Sequence, residues 1–193
     1  MRLEPPEVAS DDRWCVRLFG AFRAERGEVS ASFRTRKTAG LLAYLAFHAG
    51  KPISKDLLVE TFWPENNATQ GRQSLRMALS SLRSSLALPG WDPDRYLLSD
   101  REVVELSEDG ITTDVREFLA GIEAARASSG TEKIRLLRDA MTQWSGPFVD
   151  GASEPWITPQ ALELEEFHAN ALRELTSALC EAGNTTEAAE WAR

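Results

Sequence analysis

The sequence predicts a mainly α chain with a small β component, a mixed first half joined to an all-helical second half. Three observations carry this. Period-two alternation of apolar and polar residues is confined to residues 14–33 and to a second stretch over 95–107. Between them lie segments with apolar residues at helical spacing, opened by Ser or Thr and closed by Gly or Pro. From Asp114 onward only the helical period remains.

The elements follow in order. WCVRLFGAFRAE, from Trp14, alternates with Gly20 interrupting, and a turn at Gly27 leads into VSASF. This reads as a small antiparallel sheet over residues 14–33. Thr35 or Thr38 caps the next segment, where Leu41, Leu42, Leu45 and Ala49 share a helical face before Gly50 and Pro52 stop it. Ser54 caps the following helix, with Leu57, Leu58, Phe62 and Trp63 as its apolar face and Pro64 as its end. Glu65 to Gly71 reads as a polar connection, and residues 72–86 as a third helix. RYLLSDREVVELS, residues 95–107, reads as a hairpin turning at Ser99–Arg101. Residues 114–130 and 131–146 form an antiparallel helix pair, and residues 158–183 one long amphipathic helix. NTTEAAEWAR opens a further helix whose Ala188, Ala189 and Trp191 need a partner surface, so the helical half reads as truncated at its C-terminus. Helix pairs punctuated this way suggest tetratricopeptide-like repeats, without a clean period of about 34 residues.

Composition narrows the class. Hydrophobic residues make up 42% of the chain, enough for a core, and no apolar run approaches the roughly 20 residues of a membrane span. Cys15 and Cys180 match no metal or redox spacing, and the acidic, proline-bearing N-terminus is unlike a signal peptide. A cytoplasmic, nucleoid-associated protein is expected, with no membrane partner. No Gly-rich phosphate loop, nucleophile elbow or HExxH motif is present, so neither an enzyme nor a cofactor is expected. Glu165 and His168 have the spacing of half a di-iron site, but no second ExxH accompanies them; a helix-packing histidine is the simpler reading.

The net charge of −8 hides an asymmetry. Residues 1–12 carry −3, residues 13–98 carry +6 and residues 99–193 carry −11. Within the positive block, no acid occurs from Asn66 to Trp91. Wound as a helix, residues 72–86 place Leu75, Ala78, Leu79, Leu82 and Leu86 on one stripe, within about 100° of arc. Arg72, Gln73, Arg76, Ser80 and Arg83 fall on a separate ridge, without any acid to pair with. Arg grips phosphate or the guanine edge, and Gln and Ser reach adenine or phosphate, so this ridge suits the major groove of duplex DNA. RNA is disfavoured, because the ridge carries no aromatic for base stacking.

A short sheet, two capped helices, a basic helix and a hairpin are the parts of a winged helix-turn-helix, in which the third helix enters the major groove. The residues carry a resemblance as well. RTRKTAGLLAYLAFHAGKPISKDLLVETFWPENNATQGRQSLRMALSSLRSSL, from Arg34, resembles the OmpR-type DNA-binding domain found in the Streptomyces antibiotic regulatory protein (SARP) family. The helical half, from DVREFLAGIEAAR through Trp144-Ser-Gly-Pro-Phe148 to the last residue, looks like the bacterial transcriptional activator domain that follows it there. The resemblance implies an N-terminal tail (1–12), a winged helix (13–110) and a tetratricopeptide-like activator domain (111–193). It also implies DNA contacts by Arg72, Gln73, Arg76, Ser80 and Arg83. Arg34, Arg36 and Lys37 are implied at phosphates, and Arg101, flanked by Asp100 and Glu102, at the wing. Glu65, Asn66, Asn67 and Thr69 match the loop that in OmpR-type domains meets RNA polymerase. A transcriptional activator that reads promoter DNA, recruits polymerase holoenzyme and forms a homodimer is the expectation. The alternative is a protein-interaction module with the winged helix as scaffold, which a salt titration on duplex DNA separates from it.

Overall fold

Trp14 and Val16 are buried while Cys15 and Arg17 are half-buried, so the period-two pattern of the first strand is realised as written. The computed structural model describes residues 13–152 and 154–192, and the tail expected over residues 1–12 lies outside them. In chain order the first elements are β1 (Trp14–Arg17), β2 (Arg23–Arg26), β3 (Val29–Ser30), α1 (Arg36–Phe47) and β4 (Ile53–Ser54). Then come α2 (Lys55–Phe62), α3 (Ala68–Leu86), α4 (Pro93–Tyr96), β5 (Leu97–Ser99), β6 (Val103–Leu106) and β7 (Ile111–Thr113). The second half is α5 (Asp114–Arg126), α6 (Gly130–Gln143), α7 (Ile157–Glu181) and α8 (Thr185–Trp191). The chain is mainly α with two small sheets, a winged helix followed by a helical domain.

The first sheet has the order β3-β2-β1-β7. Its β1–β2–β3 part is antiparallel as expected, but β7 joins the other edge of β1 in parallel, with Cys15 opposite Thr112. Sequence reading missed β7 because three residues are too few to show a period. The second sheet, β4-β6-β5, is the wing. Its hairpin turns where expected, and β4 ties it to the start of α2.

Thr35 caps α1, its Oγ1 accepting the Thr38 N–H at 3.1 Å, and Ser54 caps α2. On α2 the apolar face is Leu58, Val59 and Phe62, while Leu57 is 46% exposed and Trp63 only half-buried. This corrects the expected face, since a two-turn helix starting at Lys55 rotates Leu57 outward. The third helix begins at Ala68, four residues before its expected start, because Asn67 Oδ1 accepts the Gln70 N–H at 3.0 Å and caps it there. Gly71 therefore sits inside the helix and not in a loop. A Cβ on it would stand 2.2 Å from Val59 Cγ1, so its role is to let α2 and α3 approach.

In the helical half, α5 and α6 form the expected antiparallel pair against α7. Trp144 closes their end, stacked on His168 at 4.2 Å and packed on Phe118 at 5.7 Å. His168 is thus a packing residue, and burial lowers its pKa. The expected open edge at α8 is largely closed. Ala188 is buried, Trp191 is half-buried against the core, and Arg138 of α6 pairs with Glu187 at 2.7 Å. Of the three residues expected to need a partner, Ala189 alone stays exposed.

The two halves share one hydrophobic core. Phe19, at the β1–β2 corner, lies 4.4 Å from Trp144 and 5.5 Å from Phe118 between ring centroids. The corner is also hydrogen-bonded to the loop after α6: Gly20 N donates to Pro147 O, Val149 N to Leu18 O and Asp150 N to Gly20 O. Asp114, buried at the start of α5, accepts the Leu18 N–H at 2.8 Å, the Phe19 N–H at 3.0 Å and the Val115 N–H at 2.9 Å.

Candidate nucleic-acid interface

The core stripe of α3 is as read from the periodicity: Leu75, Ala78, Leu79, Leu82 and Leu86 are buried. Gly71 joins them at the α2 crossing. That rotation turns Gln73, Arg76, Met77, Ser80 and Ser84 outward, all exposed, while Arg72 and Arg83 lie half-buried at one side.

On that side α3, the start of α2 and the wing enclose a groove of about 480 Å³. Five cationic side chains line it: Lys55, Arg72, Arg76, Arg83 and Arg101. The structure thus brings the wing arginine to the ridge, and adds Lys55. Lys55 was not legible as a site residue, because a lone lysine at a helix start carries no sequence signal. Its Nζ donates to Asp100 O and its backbone N–H to Glu102 O at 2.9 Å, which pins the wing tip to α2.

Two arginines are not free of acids, contrary to the reading of the acid-free run. Arg72 forks onto Asp56 Oδ1 at 2.8 and 3.2 Å, and Arg83 Nε meets Asp94 Oδ1 at 2.5 Å. Arg83 also donates to Leu97 O at 2.9 Å. Both acids come from outside the run, from α2 and α4, so linear distance concealed them. Both are largely exposed, and such surface pairs are worth only about 0–1 kcal/mol. Arg76 forms no hydrogen bond or ion pair among the described residues.

Asp100 closes the wing turn. Its Oδ1 accepts the Glu102 N–H at 2.7 Å and the Val103 N–H at 2.8 Å, and these bonds hold its carboxyl below the usual range. Arg101 is 94% exposed, with Glu102 at 3.7 Å.

Across α3 lies a second groove of about 580 Å³, lined by Arg34, Ser32, Met77 and Ser84 among others. Ser85 Oγ donates to Ser32 O at 2.8 Å and holds this flank in place. Lys37 adjoins the same flank, but its Nζ donates to Phe62 O and lies 5.6 Å from the Trp63 ring centroid, committed to the C-terminus of α2. Arg36 is separated from the ridge. It lines a pocket with Asp150 and Glu154 of the helical half.

Of the loop residues, Glu65 and Asn67 are exposed, and Asn66 Nδ2 reaches Ser74 Oγ at 3.3 Å. Thr69 lies in the first turn of α3, where a loop position was expected.

The comparisons with known proteins agree with this architecture. The family model described as bacterial transcriptional activator domain matches residues 113–193. The transcriptional regulatory protein EmbR of Mycobacterium tuberculosis is 30% identical over 137 residues, 68% of this chain and 35% of EmbR. MoaR1 of the same species is 27% identical over 118 residues, covering 58% of this chain and 38% of that protein. The regulatory protein AfsR of Streptomyces griseus is 24% identical over 194 residues, 90% of this chain and 19% of AfsR. The solved structure of M. tuberculosis EmbR in complex with a low affinity phosphopeptide superimposes with a TM-score of 0.80 at 25% identity. That match covers 91% of this chain and 48% of the solved one. The chain therefore spans between a fifth and two fifths of the length of these curated relatives. Winged helix, helical domain and relatives together make this chain SARP-like, with a bacterial transcriptional activator domain over residues 113–193.

Proposed function

We propose that the chain is a sequence-specific transcriptional activator that binds promoter DNA through α3 and recruits RNA polymerase, acting in the cytoplasm on the nucleoid without catalysis or a cofactor. Residues 13–110 are its DNA-binding unit and residues 111–193 its activator unit. The observation that carries the reading is the solvent face of α3. It is acid-free along its length and flanked by cations on both sides, Arg34 on one and the five-cation groove on the other. A helix seated in the major groove meets bases on its outward strip and a phosphate backbone along each flank.

On this reading Gln73, Arg76 and Ser80 meet base edges. Arg72, Arg83, Arg34, Lys55 and Arg101 meet phosphates, with Arg36 and Lys37 at the edge. Arg72 and Arg83 exchange an exposed carboxylate for a phosphate, which costs at most the value of a surface pair, about 0–1 kcal/mol each. Glu65, Asn66, Asn67 and Thr69, beside the groove-entering helix, form the polymerase contact. Because α8 is largely covered, the homodimer of this proposal is one formed on adjacent DNA half-sites.

The experiment is selection of duplexes from a random-sequence pool, followed by anisotropy titrations of the recovered duplex. Arg76→Ala and Gln73→Ala should each weaken binding by roughly 1–3 kcal/mol. Failure to enrich any duplex, or unchanged affinity in both variants with native circular dichroism, overturns the reading in favour of a protein-interaction scaffold.

A further inference from the structure

Met77 is 67% exposed, an unusual state for a long apolar side chain in the middle of a 19-residue helix. A single exposed apolar residue needs no explanation by itself. Its place does. Met77 stands on the outward strip of α3, with Gln73 one turn before it and Ser80, Ser81 and Ser84 after it. It also lines the groove on the Arg34 side. Its neighbours on the strip are the Arg76 guanidinium, short hydroxyls and one amide. The unbranched thioether of Met77 is the apolar group that projects among them.

We infer that Met77 is a specificity-determining residue that reads the 5-methyl group of a pyrimidine in the major groove; this rests on the proposal that α3 reads DNA. Base edges in the major groove are donors and acceptors, with one apolar exception, the methyl at pyrimidine C5. Thymine carries it always, and cytosine when methylated. A groove-entering strip bearing one apolar side chain between polar ones therefore has one apolar complement available. The flanking cations fix the distance of α3 from both backbones, so the Met77 thioether reaches the base edges together with Gln73 and Ser80. An unbranched side chain with three rotatable bonds adapts to a methyl without demanding one register.

The probe is the duplex recovered from the random pool by the 193-residue chain. In one series each thymine is replaced in turn by deoxyuridine, which removes only the methyl. In a second, each cytosine is replaced by 5-methylcytosine. Burial of one methyl group corresponds to roughly a three- to fivefold change in affinity. The expected result is a loss of that size at one or two thymines, or a matching gain at one methylated cytosine, and the arm that responds identifies the source. Met77→Ala and Met77→Gln should bind the methylated and unmethylated duplexes equally, while still preferring the recovered duplex over unrelated sequence. Wild-type indifference to every methyl, or a methyl preference that survives in both variants, overturns the inference and leaves DNA reading intact. If no duplex is enriched, the underlying proposal falls, and the inference with it.

Discussion

Removing an acid should tighten DNA binding. Asp56 sits in the first turn of α2 and holds Arg72, with the Asp56 side chain 71% and the Arg72 side chain 41% exposed. In Asp56→Asn the guanidinium loses its intramolecular competitor and the groove loses one negative charge. Breaking the exposed pair costs roughly 0–1 kcal/mol, and losing a first-turn acid roughly another 0.3–1 kcal/mol, so the variant folds with a slightly lower Tm. For the complex, a carboxylate about 6 Å from a phosphate in water repels it by about 0.7 kcal/mol, and Arg72 no longer gives up a surface pair worth about 0–1 kcal/mol to reach its phosphate. Together these correspond to about three- to tenfold tighter binding at low salt. Completing the Arg72 contact that Asp56 contests in the wild type should also steepen the plot of log affinity against log salt, by up to about 0.9. Anisotropy titrations between about 50 and 200 mM salt read both quantities. Unchanged or weaker binding by a folded variant, with an unchanged slope, would refute the assignment of Arg72 to a phosphate.

Other perturbations test the fold that positions α3. Gly71→Ala places a Cβ where Val59 Cγ1 stands, and overpacking of this kind costs about 1–3 kcal/mol; a thermal melt should show the loss, and Val59→Ala in the same chain should recover part of it. Gly20 adopts a φ of 71° and a Cβ there meets Ser145 Oγ at 3.3 Å, so Gly20→Ala should cost about 1–2 kcal/mol in chemical denaturation and disturb Trp144 fluorescence. Burial pushes the Asp114 carboxyl above its usual range despite the opposing N–H bonds from Leu18, Phe19 and Val115. The fold therefore binds this proton more tightly than the unfolded chain does. Its contribution is fully present below the unfolded pKa and is lost as pH rises through the folded one. Asp114→Asn has no proton to lose. Melts across that window should show the stability difference between variant and wild type shifting toward the variant as pH rises, and a constant difference would contradict the shift.

The orientation of α3 was legible because a long amphipathic helix states its buried stripe five times over, from Leu75 to Leu86. Its start was not. Gly71 beside Gln70 reads as a turn, and only the approach of Val59, twelve residues away, explains a glycine inside the helix. The same blindness to distance concealed Asp56 and Asp94, which pair with arginines in a run that contains no acid. Leu57 was misplaced because a helix of eight residues leaves its rotation to tertiary contacts. The wing was legible from its alternation and turn, yet the role of Asp100 was not, since a turn-closing carboxylate and a repelling one read alike in sequence.

The junction between the halves bears on how such a chain is regulated. A winged helix tethered by a flexible linker can swing freely, but here Phe19 is shared between the two packed halves. Leu18 and Phe19 are bonded to Asp114, and three further backbone bonds join the β1–β2 corner to residues 147–150. Ser145 Oγ adds a sixth bond, to Phe19 O at 2.8 Å. At roughly 0.5–1.5 kcal/mol net for each bond, before any apolar burial is counted, separation costs a large share of a domain's total stability of about 5–15 kcal/mol. A partner of the helical half therefore does not act by releasing the winged helix. Under the proposed function it acts on the two halves as one packed unit, either by adding its own contacts to the DNA complex or by covering the outward face of α3.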